Sequence, residues 1–147
     1  MNATSKFFSP LVVLLALSFV VISGCADSKK AIEAIERVKG EAKAAEPQNL
    51  RGLQRNPEAM AKAFSEAKEK LEAVSLSDCP GDFKNAFTEW RKSAVEALEL
   101  NVEIANLAQS GDRDALMSKQ QELAENIKQV QQAEAKLREV ERKYTSK

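Results

Sequence analysis

The sequence predicts an all-α fold, an antiparallel helical bundle of three main helices with a shorter N-terminal helix or tether. Three observations carry that expectation. Beyond residue 24 the chain is rich in Ala, Glu, Lys, Gln and Leu and poor in glycine, the residues that lose least on entering a helix. Its Val, Ile and Leu recur at three and four residues rather than in alternation, which places them on one face of a helix. Proline, glycine and capping residues gather around 47–57, 75–82 and 110–112, where helices would start and stop.

Taken in order, Ile32, Ile35, Val38, Ala42 and Ala45 form a narrow apolar stripe on an otherwise charged helix from Asp27 or Ser28 to about Ala45. Either of those first residues can cap it. Gly40 weakens it by about 1 kcal/mol relative to alanine, and Pro47 ends it, so a partly helical tether is the alternative. Residues 46–56 read as a linker in which Leu50 and Leu53 can pack back on the bundle. Asn56-Pro57-Glu58 then starts the second helix: Asn accepts from free backbone amides, Pro needs no donor there, and Glu meets the positive end of the dipole. Its apolar stripe is Met60, Phe64, Ala67, Leu71 and Val74.

The turn 75–82 carries Cys79-Pro80-Gly81-Asp82, and either Cys79 or Asp82 is expected to cap the third helix, which runs to about Gln109. Phe83, Phe87, Trp90, Ala94 and Ala97 or Leu98 share a face, widened by Val95, Val102 and Ala105. Ser110-Gly111-Asp112 closes that helix and caps the next, folding the two into a hairpin. The fourth helix, from about Arg113 to Lys143, spans roughly 45 Å at about 1.5 Å per residue. Leu116, Leu123, Val130, Leu137 and Tyr144 recur at sevens, with Lys119, Asn126, Ala133 and Val140 at the second seam position. Half a coiled-coil seam suits a small antiparallel bundle better than a free-standing coiled coil.

The segment 1–24 has a different character. Lys6 charges its start, and the run from Leu11 to Ile22 is apolar but shorter than the ~20 residues of a spanning helix. These are the parts of a secretory signal, compatible with an ordinary cleaved signal peptide or an uncleaved anchor. The small pair Ser23-Gly24 directly before Cys25 resembles the lipobox of bacterial lipoproteins. That resemblance implies cleavage between Gly24 and Cys25, with Cys25 as the lipidated first residue of the mature protein. Two acyl chains then anchor it stably, at about 0.8 kcal/mol per buried methylene, and a third, amide-linked chain (palmitate) would add to this. In such lipoproteins an aspartate after the cysteine favours the inner membrane; here Ala26 holds that position, which implies the outer membrane, facing the periplasm, in a Gram-negative cell. The chain thus divides into a signal (1–24), a lipidated N-terminus with helix and linker (25–56), and a bundle (57–147).

Loss of the signal removes Lys6 and no acid, leaving 21 basic against 22 acidic residues. That balance gives no expectation of nucleic-acid binding. Cys79 loses its intrachain partner once Cys25 is lipidated, so it is expected buried at a helix start, or free with a thiol pKa that the helix dipole lowers, or paired to another molecule. There is no histidine, which removes Ser-His-Asp and Cys-His catalysis, His-ligated zinc and haem on a proximal histidine. No phosphate loop, nucleophile elbow or EF-hand pattern occurs. Glu89, Glu96, Glu99 and Glu103 on the third helix are the acids from which a paired-carboxylate site could be assembled, but their spacing reads rather as a solvated face carrying ion pairs.

The tail from Arg142 to Lys147 resembles that of the murein lipoprotein family in a Lys-Tyr and a final lysine. The hairpin, the second helix and the broken heptads depart from that family and count against Lys147 as an attachment point. The expected function is that of a lipid-anchored cell-envelope lipoprotein, a non-enzymatic interaction or structural module without cofactor or metal, whose partner is an envelope protein or the cell wall. The alternative is a bundle that binds a small apolar ligand between Phe64, Phe83, Phe87 and Trp90.

Overall fold

The computed structural model describes residues 26–48, 50–53 and 55–145. The segment 1–24, the expected lipidation residue Cys25 and Lys147 lie outside the described residues. Five helices follow in order: α1 (Ala26–Ala44), α2 (Leu50–Leu53), α3 (Pro57–Glu72), α4 (Gly81–Ser110) and α5 (Arg113–Thr145). Among the described residues there is no strand, and the chain is an all-α helical bundle.

Local chemistry sets most of the helix ends. At the start of α3, Asn56 Oδ1 accepts from Ala59 N at 3.0 Å and Pro57 takes the first turn. Gly111, with φ of +75°, closes α4, a backbone state open to glycine at little cost. Asp112 Oδ1 accepts from Ala115 N at 3.0 Å and opens α5. The start of α4 departs from expectation, because neither Cys79 nor Asp82 caps it. Pro80 is the extended residue before the helix, and its carbonyl accepts from Lys84 N at 2.9 Å. Cys79 is turned into the core, and Asp82 Oδ1 accepts from the adjacent Phe83 N at 2.9 Å, inside the first turn.

α4 is the central element, with α5 along one side and α3 along another. The pairs Glu103–Lys119, Glu89–Lys136 and Asp82–Tyr144 mark the antiparallel register of the hairpin. α1 lies against α5 and α3. Its Arg37 reaches Asp78, and Ala42 lies level with Trp90 and Leu137. α1 therefore runs parallel to α4, its N-terminus at the end of the bundle where α4 begins and α5 finishes.

This placement decides the character of the N-terminal segment. Ala34, Ile35, Val38, Ala42 and Ala45 are buried in one cluster with Phe83, Phe87, Trp90, Val130 and Leu137, so α1 is an integral helix of the bundle and not a tether. Ile32, expected on the same stripe, is only half-buried. The linker contains the single turn α2, whose Leu50 and Leu53 pack on a second cluster of Met60, Phe64 and Ala105.

On α4 the buried face is wider than the sequence stripe. Leu100 and Ile104 join the cluster that includes Leu123 and Val130 of α5, while Ala105 joins Met60 and Phe64 of α3. A helix gripped by two neighbours needs two apolar edges. On α5 the heptad reading holds: Leu123, Val130 and Leu137 are buried, as are Asn126 and Ala133, and Leu116, Val140 and Tyr144 are half-buried.

Candidate functional site

Phe83, Phe87 and Trp90 form a row along α4. The two phenyl rings stack with centroids 5.9 Å apart, and the Phe87 and Trp90 centroids are 5.2 Å apart. The Arg91 guanidinium sits 5.8 Å above Phe87 while Nη1 donates to the Val74 carbonyl at 2.9 Å, fastening the turn after α3 to α4. Phe64 is not part of this row; it is buried in the other cluster, with Met60 and Ala105. Three of the four aromatic candidates are thus brought together, packed on one another, and the fourth is set apart.

Beside Phe87 and Trp90 lies a chamber of about 10 Å³, walled also by Lys39 and Ala42 of α1 and by Glu134, Leu137, Arg138 and Glu141 of α5. At its edge stands an ion cluster between helices. Lys39 Nζ stands 3.2 Å from Glu36 and 3.7 Å from Glu141, and the Lys39 and Glu141 side chains are almost wholly withdrawn from solvent. Arg138 pairs with Glu134 along α5. Burial pushes the Glu141 carboxyl above the usual glutamate range, and Lys39 opposes that shift. Chemically the arrangement is a readily protonated carboxylate held against an ammonium.

This cluster was not apparent from residue patterns. Glu141 follows Leu137 by four residues, on the edge of the heptad seam, where charged side chains normally face water. The seating of α1 covers that edge. The one available signal was that Glu36 and Lys39 directly follow the apolar Ile35 and Val38, at the border of the stripe.

Cys79 is 6% exposed, and its thiol is free among the described residues. Burial pushes its pKa up, ahead of the opposing effects of Arg37 and Lys84. That is the reverse of a dipole-activated thiol, because α4 starts two residues later and the sulfur lies in the core. Glu89, Glu99 and Glu103 are exposed and pair across helices with Lys136, Lys68 and Lys119, the solvated face that their spacing suggested. At the far end of the hairpin the Tyr144 hydroxyl donates to Asp82 Oδ1 at 2.6 Å, with Lys143 3.6 Å from the same carboxylate.

Among the described residues no group of three or more His, Cys, Asp and Glu side chains could hold a metal ion. No described helix is long and apolar enough to cross a membrane. No family model, curated protein or solved structure matches the chain. Fold and geometry define a helical-bundle protein with a buried interhelical ion cluster.

Proposed function

We propose that the chain is an exported bacterial lipoprotein, anchored through acyl chains on Cys25, whose bundle acts as a non-enzymatic interaction or structural module of the cell envelope. The observation that carries this reading is Ile22-Ser23-Gly24-Cys25 directly before Ala26, the first residue of α1. With Ile35 and Val38 of α1 in the main core, an anchor at that point holds the bundle close to the lipid surface rather than on a mobile stalk. Ala26 in place of an aspartate favours the outer membrane, facing the periplasm, in a Gram-negative cell. The mutual packing of Phe83, Phe87 and Trp90, beside a chamber of only about 10 Å³, favours a surface role over an apolar-ligand role.

Two measurements test the reading. The intact mass of the membrane-extracted protein is expected to start at Cys25 with added acyl chains, and Cys25→Ala is expected to lose both the chains and the membrane association. An unacylated soluble species would overturn the anchor. Crosslinking in intact envelopes followed by pull-down is expected to recover a protein or cell-wall partner in defined stoichiometry. Recovery of the chain alone would overturn the interaction role.

A further inference from the structure

The polar atoms that the fold leaves unmet gather where α1 is seated. Six of the described residues bury a side-chain nitrogen or oxygen with no hydrogen-bond partner in the protein. Four of them belong to α1 or its immediate surroundings: Glu36 Oε2 and Arg37 Nη2 on the helix, Glu46 Oε1 just past its end, and Glu141 Oε1 on α5, whose other oxygen lies 3.7 Å from Lys39. The remaining two are Trp90 and Asn126. A charged atom that gives up water without a full set of partners weakens the contact that buries it.

The apolar side of the same contact is small. α1 and the residue after it bring Ala34, Ile35, Val38, Ala42 and Ala45 to the core, whereas α4 brings Phe83, Phe87, Trp90, Leu100 and Ile104 to it. Apolar stabilisation grows with the area buried, so α1 is held less firmly than α4. Gly40 stands inside α1 where a side-chain carbon would meet no other group, and it loosens the helix with no gain in packing. Elements with few apolar contacts and unmet polar groups are the ones that open locally.

We propose that α1 is a releasable strap, which leaves the bundle as a unit at its Glu36, Lys39 and Glu141 contact while α3, α4 and α5 stay packed. Resting on the reading of Cys25 as the anchor, the seated strap holds the bundle against the lipid. Release turns α1 into a stalk, whose helix of 19 residues spans roughly 28 Å, and uncovers Phe87, Trp90 and Leu137 beneath Lys39 and Ala42. The buried charges set how readily the strap opens.

Amide hydrogen exchange of the full chain in detergent micelles tests this. Amides of residues 34–44 are expected to exchange together, at least 100-fold faster than those of residues 86–104 in α4. Replacing the three charges at once with apolar residues (Glu36→Leu, Lys39→Met, Glu141→Leu) is expected to narrow that gap at least tenfold. Equal rates in α1 and α4 of the wild-type chain overturn the proposal whatever the variant does, as do rates graded inward from the helix ends, the mark of fraying. A gap that the substitutions leave unchanged overturns the role of the charges. The exchange reads the same with or without acyl chains on Cys25, so its failure is separate from that of the anchor, which the intact mass decides.

Discussion

Tyr144, near the end of α5, donates its hydroxyl to Asp82 Oδ1 in the first turn of α4 at 2.6 Å, across 62 residues of sequence. This bond fastens the open end of the hairpin, opposite the covalent turn at Gly111. Tyr144→Phe keeps the ring and removes the donor, so it is expected to lower stability by about 1 kcal/mol, read as a lower urea midpoint. Because the bond favours the neutral phenol and the ionised carboxylate, it raises Tyr144 to about 12 and lowers Asp82. The tyrosine contribution is complete below the ordinary value of 10 and is lost as pH rises toward 12. The aspartate contribution is present above its ordinary range and is lost as pH falls through its depressed value. As the chain has one tyrosine, a tyrosinate absorbance titration reads the shift directly, and a midpoint near 10 in the folded protein would refute it.

Lys39 and Glu141 are expected to matter unequally. Lys39→Met leaves a buried carboxylate without its cation and is expected to cost about 3 kcal/mol at neutral pH, whereas Glu141→Gln keeps the shape and should cost less. Burial raises Glu141, so the folded state takes up its proton more readily than the unfolded chain. Its stability contribution is therefore full below the ordinary glutamate value, about 4.5, and is lost as pH rises through the elevated one. The stability difference between wild type and Glu141→Gln, from urea melts between about pH 4 and 7, is expected to shift toward wild type as pH falls. A pH-independent difference would remove the assignment.

Asn126 is 4% exposed, with neither amide atom of its side chain bonded to protein. Asn101, the buried asparagine of α4, donates to the Ala97 carbonyl at 2.6 Å. Asn126→Leu is expected to stabilise the chain by about 1 to 3 kcal/mol, because an unpaired polar group leaves the core. A buried asparagine at a seam position also fixes register, so broader amide resonances or a change in sedimentation are expected in the same variant. A loss of stability would show that Asn126 is satisfied in solution.

Cys79, buried and with a raised pKa, is expected to react with iodoacetamide at neutral pH only as fast as the chain opens. In urea it should react at the rate of an ordinary thiol. Rapid alkylation of the folded chain would place the sulfur at the surface.

Repetition along the chain was enough to determine the helices. Three- and four-residue spacing, Asn56-Pro57, and Ser110-Gly111-Asp112 act within one or two turns of backbone, so α3, α5 and the hairpin are legible from neighbours alone. Such patterns do not say how many partners a helix has. Only packing decided that α1 is seated in the core, that Phe64 is parted from Phe83, Phe87 and Trp90, and that Leu100 and Ile104 are buried. Packing likewise decided the surroundings of Glu141 and Cys79. A carboxylate on the edge of a seam stays solvated until another helix covers it, and a thiol two residues before a helix lies in the core or at the surface according to how the turn folds back. Burial depends on distant elements arriving at the same place, and residue order carries that information only through the fold.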